Sequence, residues 1–198
     1  MTVEKINTND NFGGVLEARN AQKESVDICG KYLAECYDSA GNLKWKEEFD
    51  NLVTTTGKNY LLNIMLGTTA KAPTWFMGLI VANGYSNILA SDTMASHAGW
   101  IESGQQGTGI GPRYNTAGST VLRPTITFAT GASSGAITSS NSVAFNITSN
   151  GTCKGAFIVD NSTKAGTTGV LYSAGLFPTG DRILVNGDIL RISYTATA

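Results

Sequence analysis

Residues 29–49 alternate with a period of two. Leu43, Trp45 and Phe49 interleave with Lys44, Lys46 and Glu48, and before them Tyr32, Ala34 and Cys36 interleave with Lys31 and Glu35. This is the pattern of two strands, each with one face in a core. Between them lies Asp38-Ser39-Ala40-Gly41-Asn42, where Asp starts a turn and Gly or Asn takes positive φ. The period then lengthens. Tyr60, Leu61, Ile64 and Met65 recur at helical spacing, with Thr54 to Thr56 as N-caps and Gly67 as the stop, which predicts one helix over 54–66 that caps an end of the fold. Pro73 opens Trp75-Phe76-Met77-Gly78-Leu79-Ile80-Val81, apolar on both faces and closed by Asn83-Gly84; this is the signature of a central strand. Ser91 or Asp92 caps a second, short helix through Met94 to His97, and Gly99 releases the chain into Trp100-Ile101.

Gly104 to Pro112 reads as a loop. Beyond it, short runs at Arg123–Ala129, Ser142–Ile147, Gly155–Asp160, Val170–Phe177 and Ile183–Thr195 are separated by turn residues, including Asn186-Gly187-Asp188. Short strands at this spacing predict a mainly β fold, a β-sandwich or jelly roll with one or two short helices. No internal repeat stands out. Residues 1–28 are polar and weakly patterned, so the expected organisation is an N-terminal arm, partly ordered, over 1–28 and one β domain over 29–198.

Composition narrows the function classes. The chain has 198 residues, 15% charged, with a formal net charge of −1; soluble domains average about 25% charged residues. A near-neutral chain has no electrostatic pull toward nucleic acid or an anionic membrane, and neither is an expected partner. The amino terminus lacks the basic-then-apolar pattern of a signal peptide, and no run approaches the length of a membrane span. Cys29, Cys36 and Cys153 include no CxxC pair. Cys29 and Cys36 fall on one predicted strand, roughly 23 Å apart and on opposite faces. Reduced, packed thiols in a protein assembled in the cytoplasm are the expectation.

Candidate chemistry is sparse. His97 is the single histidine; it has no nearby second ligand for zinc, and Asp92 is the one local carboxylate candidate for orienting it as a base. A structural histidine bonded to backbone is expected. Gly57-Lys58 looks like the end of a phosphate loop, but Leu52 stands where the earlier glycine belongs and Asn59 replaces the magnesium-binding hydroxyl. The glycines at 104, 107, 109 and 111 fail as a dinucleotide fingerprint, since Pro112 takes the third glycine's place. Sequons at Asn146, Asn150 and Asn161 are chance matches in a Ser/Thr/Asn-rich chain. Glu47, Glu48, Asp92, Glu102, Asp160, Asp181 and Asp188 are dispersed, whereas a glycosidase needs two carboxyl groups facing one cleft. Trp45, Trp75 and Trp100 are candidates for sugar stacking, but the first two sit on apolar strand faces, where core packing is expected. No catalytic, cofactor-binding or metal-binding residue is assigned, and no cofactor is expected.

Three segments occur together in order. They are Tyr37-Asp38-Ser39-Ala40-Gly41-Asn42-Leu43-Lys44-Trp45 running on through Phe49-Asp50-Asn51-Leu52-Val53-Thr54, then Asp92-Thr93-Met94-Ala95-Ser96-His97-Ala98-Gly99-Trp100, and Leu171-Tyr172-Ser173-Ala174-Gly175-Leu176-Phe177 with its closing Asn186-Gly187-Asp188. Across residues 30–198 the chain resembles tailed-bacteriophage virion structural proteins of the capsid decoration, or cement, type. The resemblance implies a sandwich or jelly roll that binds the assembled shell and stabilises contacts between subunits of the major capsid protein. It implies location on the virion surface after assembly in the host bacterial cytoplasm, a homo-oligomer (trimer or dimer), and no catalytic residues. A tail-fibre or head-fibre module that binds host-surface glycans is the alternative reading.

Overall fold

A computed structural model describes residues 28–71, 74–81, 87–104, 113–115 and 122–198. The expected arm, Pro73, the Asn83-Gly84 turn and the glycine-rich stretch from 105 to Pro112 lie outside the described residues.

The chain builds β1 (Cys29–Tyr37), β2 (Leu43–Asp50), β3 (Leu52–Val53), α1 (Thr55–Met65), β4 (Trp75–Val81), β5 (Ile101–Glu102), β6 (Tyr114–Asn115), β7 (Thr125–Ile126) and β8 (Ala136–Thr138). It continues with β9 (Val143–Ile147), β10 (Gly151–Cys153), β11 (Gly155–Val159), β12 (Leu171–Leu176), β13 (Arg182–Leu184) and β14 (Ile189–Thr197). One six-stranded sheet runs β2-β1-β14-β9-β6, with β8 also on β14. The other runs β3-β12-β11-β4-β5, with β7 also on β4, and β10 and β13 form a separate two-stranded ribbon. All pairings are antiparallel. The protein is a β-sandwich with one short helix among the described residues.

Side-chain alternation assigns the faces. Tyr32, Ala34 and Cys36 of β1 and Leu190, Ile192 and Tyr194 of β14 meet Met77, Leu79, Ala156 and Ile158 of the opposing sheet in the main core. The other face of that second sheet is also covered. Ile80, Phe157, Val159, Leu171 and Ala174 pack beneath Met94 and Trp100. A sheet buried on both sides needs apolar residues at every position, which is why the unbroken run in β4 reads as central.

The predicted hairpin forms as β1–β2. The Asp38 carboxylate accepts from the Ala40 and Asn42 amides at 2.9 and 2.8 Å, and Gly41 takes φ of +86°. The predicted helix forms as α1, with Thr54 at its N-cap accepting from the Gly57 amide at 3.0 Å. Gly57 faces β12, and a Cβ there would lie 2.4 Å from the Tyr172 carbonyl oxygen. Helix and sheet touch because this position carries no side chain.

Five expectations need correction. The second helix is absent: Thr93 and Ser96 pair as an isolated bridge instead. Asp92 does not cap a helix, because its carboxylate accepts from the Leu89 amide and Trp100 Nε1, both at 3.0 Å. Met65, placed on the buried stripe of α1, is 72% exposed. The strand expected over Arg123–Ala129 shrinks to Thr125–Ile126, since Arg123 turns inward and Pro124 has no amide to pair. Cys29 is exposed, whereas Cys36 and Cys153 are buried as expected; all three thiols are free. No helix among the described residues is long and apolar enough to cross a membrane.

Candidate functional site

Where α1, the start of β4, the β7 region and the ends of β8 and β14 converge, the sandwich does not close. The gap is a cleft of about 620 Å³, within the usual range of ligand sites. Its floor is core: Ile126, Ile158, Tyr172 and Tyr194 belong to the main cluster. A chain of tilted and edge-to-face ring contacts runs from the helix into its walls. Tyr60 meets Trp75 at 5.5 Å between centroids, Trp75 meets Tyr172 at 5.6 Å, and Tyr194 joins Tyr172 and Phe128 at 6.3 Å each. Thr74, Thr125, Thr127 and Thr130 supply hydroxyls along the rim, and Lys71 is the one charged residue of the lining.

Tyr194 is held from below. Its hydroxyl accepts from Asn51 Nδ2 at 2.8 Å, and Gly30 leaves the space for it, since a Cβ there would sit 2.3 Å from that oxygen. Burial pushes the Tyr194 and Tyr172 phenols above their ordinary range, so both remain neutral hydrogen-bonding groups. Among the described residues the lining contains no Asp, Glu, His or Cys. Such a cleft offers stacking surfaces and hydroxyls beside one lysine amine.

The seven carboxylates singled out in the sequence are each engaged elsewhere. Glu47 accepts from the Thr179 amide and hydroxyl at 3.0 and 2.7 Å and from Arg182 Nε at 2.7 Å. Burial pushes its carboxyl up, but those hydrogen bonds outweigh it and hold the group below the usual range. Glu48 pairs with Lys31 at 2.7 Å, Asp181 with Lys154 at 2.5 Å and Asp188 with Lys44 at 2.6 Å. Asp160 accepts from the Val170 amide at 2.7 Å. Asp92 serves Trp100, as described above. No two of them face one another across the cleft.

Glu102 belongs to a buried polar cluster. Arg123 reaches it bidentately through Nε and Nη2 at 2.9 and 2.8 Å, and the Ala165 amide donates to it at 2.6 Å. Beside them Lys164 Nζ donates to the Tyr114 carbonyl at 2.9 Å and sits 3.7 Å from the centre of the Tyr114 ring. Burial lowers the Lys164 amine to about 8, against the opposing pull of Glu102. This cluster ties β5, β6 and the 161–166 turn together behind the sheet.

The remaining candidates fall into place individually. His97 Nδ1 lies 2.9 Å from the Trp100 carbonyl, and its ring stacks on the indole at 4.0 Å. Asp92 does not orient it. Lys58 is an exposed residue of α1. Trp45 packs edge-on against Phe177 with the Arg182 guanidinium over its face, and Trp100 is buried against Phe157. Trp75 does both jobs considered for it: it packs on the core and lines the cleft. Among the described residues no group of three His, Cys, Asp or Glu side chains is placed to hold a metal ion. Sequence reasoning missed Phe128, Tyr172 and Tyr194 as a shared site. One signal was available, Gly30 near the start of β1, whose missing side chain makes room for Tyr194 of β14. The chain matches no family model, and no curated protein matches it.

Proposed function

We propose that this chain is a structural protein of a tailed-bacteriophage virion, of the capsid-decoration type, that binds the assembled shell and stabilises contacts between major capsid subunits. The observation that carries the reading is the cleft itself. It is lined mainly by aromatic, aliphatic and threonine side chains, with Lys71 the one charged group among the described lining residues, which suits binding of an apolar segment. Leu62, Met65 and Leu66 on the same helix are 54%, 72% and 83% exposed, and they extend the apolar contact surface beside the Leu61 wall. A ligand recognised only in the assembled shell stabilises that shell by mass action, and repeated sites add avidity.

Binding of the purified full chain to empty shells, read by sedimentation and by cryo-electron microscopy, tests this. Trp75→Ala with Phe128→Ala is expected to lower shell occupancy while the thermal melt stays cooperative. Deleting residues 1–28 is expected to leave a folded domain with weaker attachment. Undiminished occupancy in the double variant would overturn the cleft as the docking surface.

One observation favours a second reading, a fibre module that binds host glycans. Rings flanked by hydroxyls are also how proteins hold sugars. Soluble glycans that bind at micromolar concentration and lose affinity in Trp75→Ala would select that reading over shell attachment.

A further inference from the structure

β2 is an eight-residue strand at the edge of its sheet, paired on one side with β1 and on the other with nothing among the described residues. The Asn51 amide donates to the Gly30 carbonyl at 3.1 Å. Main-chain groups alternate sides along a strand, so the odd residues of β2 face β1 while the amides and carbonyls of Lys46 and Glu48 face outward. Bare edges of this length invite pairing with another chain, and proteins commonly blunt them with lysines. Here the outer face carries both signs in order: Lys46, then Glu48 and Asp50.

We propose that β2 pairs antiparallel with β2 of a second copy of this chain, about a two-fold axis through Glu47, joining two six-stranded sheets into one. This register sets Lys46 opposite the second copy's Glu48, twice by symmetry, and each pair is one whose main-chain groups point across the joint. On the inner face Trp45 falls opposite Phe49, while Lys44, at the bulge between Leu43 and Trp45, stays paired with Asp188 of its own chain. An axis through Lys46 or through Glu48 would instead place two like charges face to face at the centre. The flanking ion pairs extend the match. Lys46 already bonds Glu35 at 2.8 Å and Glu48 bonds Lys31 at 2.7 Å, so the row Glu35, Lys46, Glu48, Lys31 alternates in sign across the joint. Glu47 itself meets its counterpart on the axis, but its charge is taken by Arg182 and Thr179 of its own chain. A two-fold interface is self-complementary by definition, and this strand has that property in its charges, its rings and its hydrogen-bonding parity. The pairing is independent of what the cleft binds.

Light scattering and sedimentation of the full chain across micromolar concentrations test it. A dimer is expected. Lys46→Glu places like charges at both central pairs and should weaken the dimer about tenfold. Lys46→Pro removes an outward amide, a substitution edge strands tolerate, and should give a monomer with an unchanged circular dichroism spectrum. Should that variant unfold, the register is read by cross-linking. In a Cys29→Ser background, Lys46→Cys mixed with Glu48→Cys should form an oxidised heterodimer, and neither should cross-link alone. A monomeric native chain, a dimer that survives both Lys46 variants, or cross-linking without regard to partner would overturn the proposal.

Discussion

The Glu102–Arg123 pair is fully desolvated, with Arg123 2% and Glu102 3% exposed, and three further groups complete its hydrogen bonds. Such a pair adds little over a well-packed apolar substitute, yet removing one partner strands the other charge. Arg123→Met is therefore expected to lower unfolding free energy by about 3–5 kcal/mol in urea titrations. Lys164 beside it has a pH signature. Its amine titrates near 8 in the folded chain against 10.5 ordinarily. Between those values the unfolded chain holds a proton the folded one has released, so this amine's contribution to stability rises with pH there. Below pH 8 both states are protonated and the cost of burying the charge is complete. Two sets of groups pull the other way: burial raises the Cys36 and Cys153 thiols from 9.0 to about 11 and about 12, and it raises Tyr32, Tyr114 and Tyr194, so all of them ionise first in the unfolded chain as the pH climbs. The Lys164 contribution is therefore read as a difference: urea midpoints at pH 7.5, 8.5 and 9.5 should rise for the native protein relative to those of Lys164→Met.

Elements here are set by a few residues with two partners each. Thr54 caps α1 through its accepted bond from Gly57 and donates its own hydroxyl to the Leu171 carbonyl, anchoring the helix start to β12. Thr54→Ala should cost about 1–2 kcal/mol, and Thr54→Ser should restore most of it; thermal melts decide. This helix was legible because cap, period and glycine stop agreed. The β1–β2 hairpin and β4 were legible for the same reason, the former from alternation around an Asp-Gly turn, the latter from apolar residues at every position. The second helix misled because Ser91 and Asp92 look like caps, while a carboxylate that reaches Leu89 and Trp100 makes a turn from the same residues. Strands β3, β5, β6, β8 and β10 have two or three residues each, too few for any period. The cleft was invisible for a different cause: Trp75, Phe128, Tyr172 and Tyr194 come from four separate stretches, and only sheet pairing brings them together.

At the scale of the whole molecule, the first and last described strands are neighbours. β1 pairs with β14 over nine positions, from Cys29 opposite Thr197 to Tyr37 opposite Ile189, and these strands supply much of the main core. The fold cannot close until chain ends separated by nearly its full length meet, and loop closure of that kind slows folding. A permutant of residues 28–198, compared with the unpermuted chain of the same residues, isolates this term. The Cys29 Sγ and Thr197 Oγ1 atoms lie 3.0 Å apart, so a short glycine-serine link can join Ala198 to Ile28. The new ends fit at Gly180, an exposed position in a turn where an added Cβ would meet nothing within 4 Å. β14 and β1 then form a local hairpin, and the contacts of lowest locality become sequential. Stopped-flow refolding of the permutant is expected to be faster than that of the native order, with the unfolding limb moved much less, because the native contacts are retained. Equal refolding rates would mean that β1–β14 pairing follows the rate-limiting step, and the nucleus would then lie in the β4–β11–β12 sheet, whose buried faces come from strands closer in sequence.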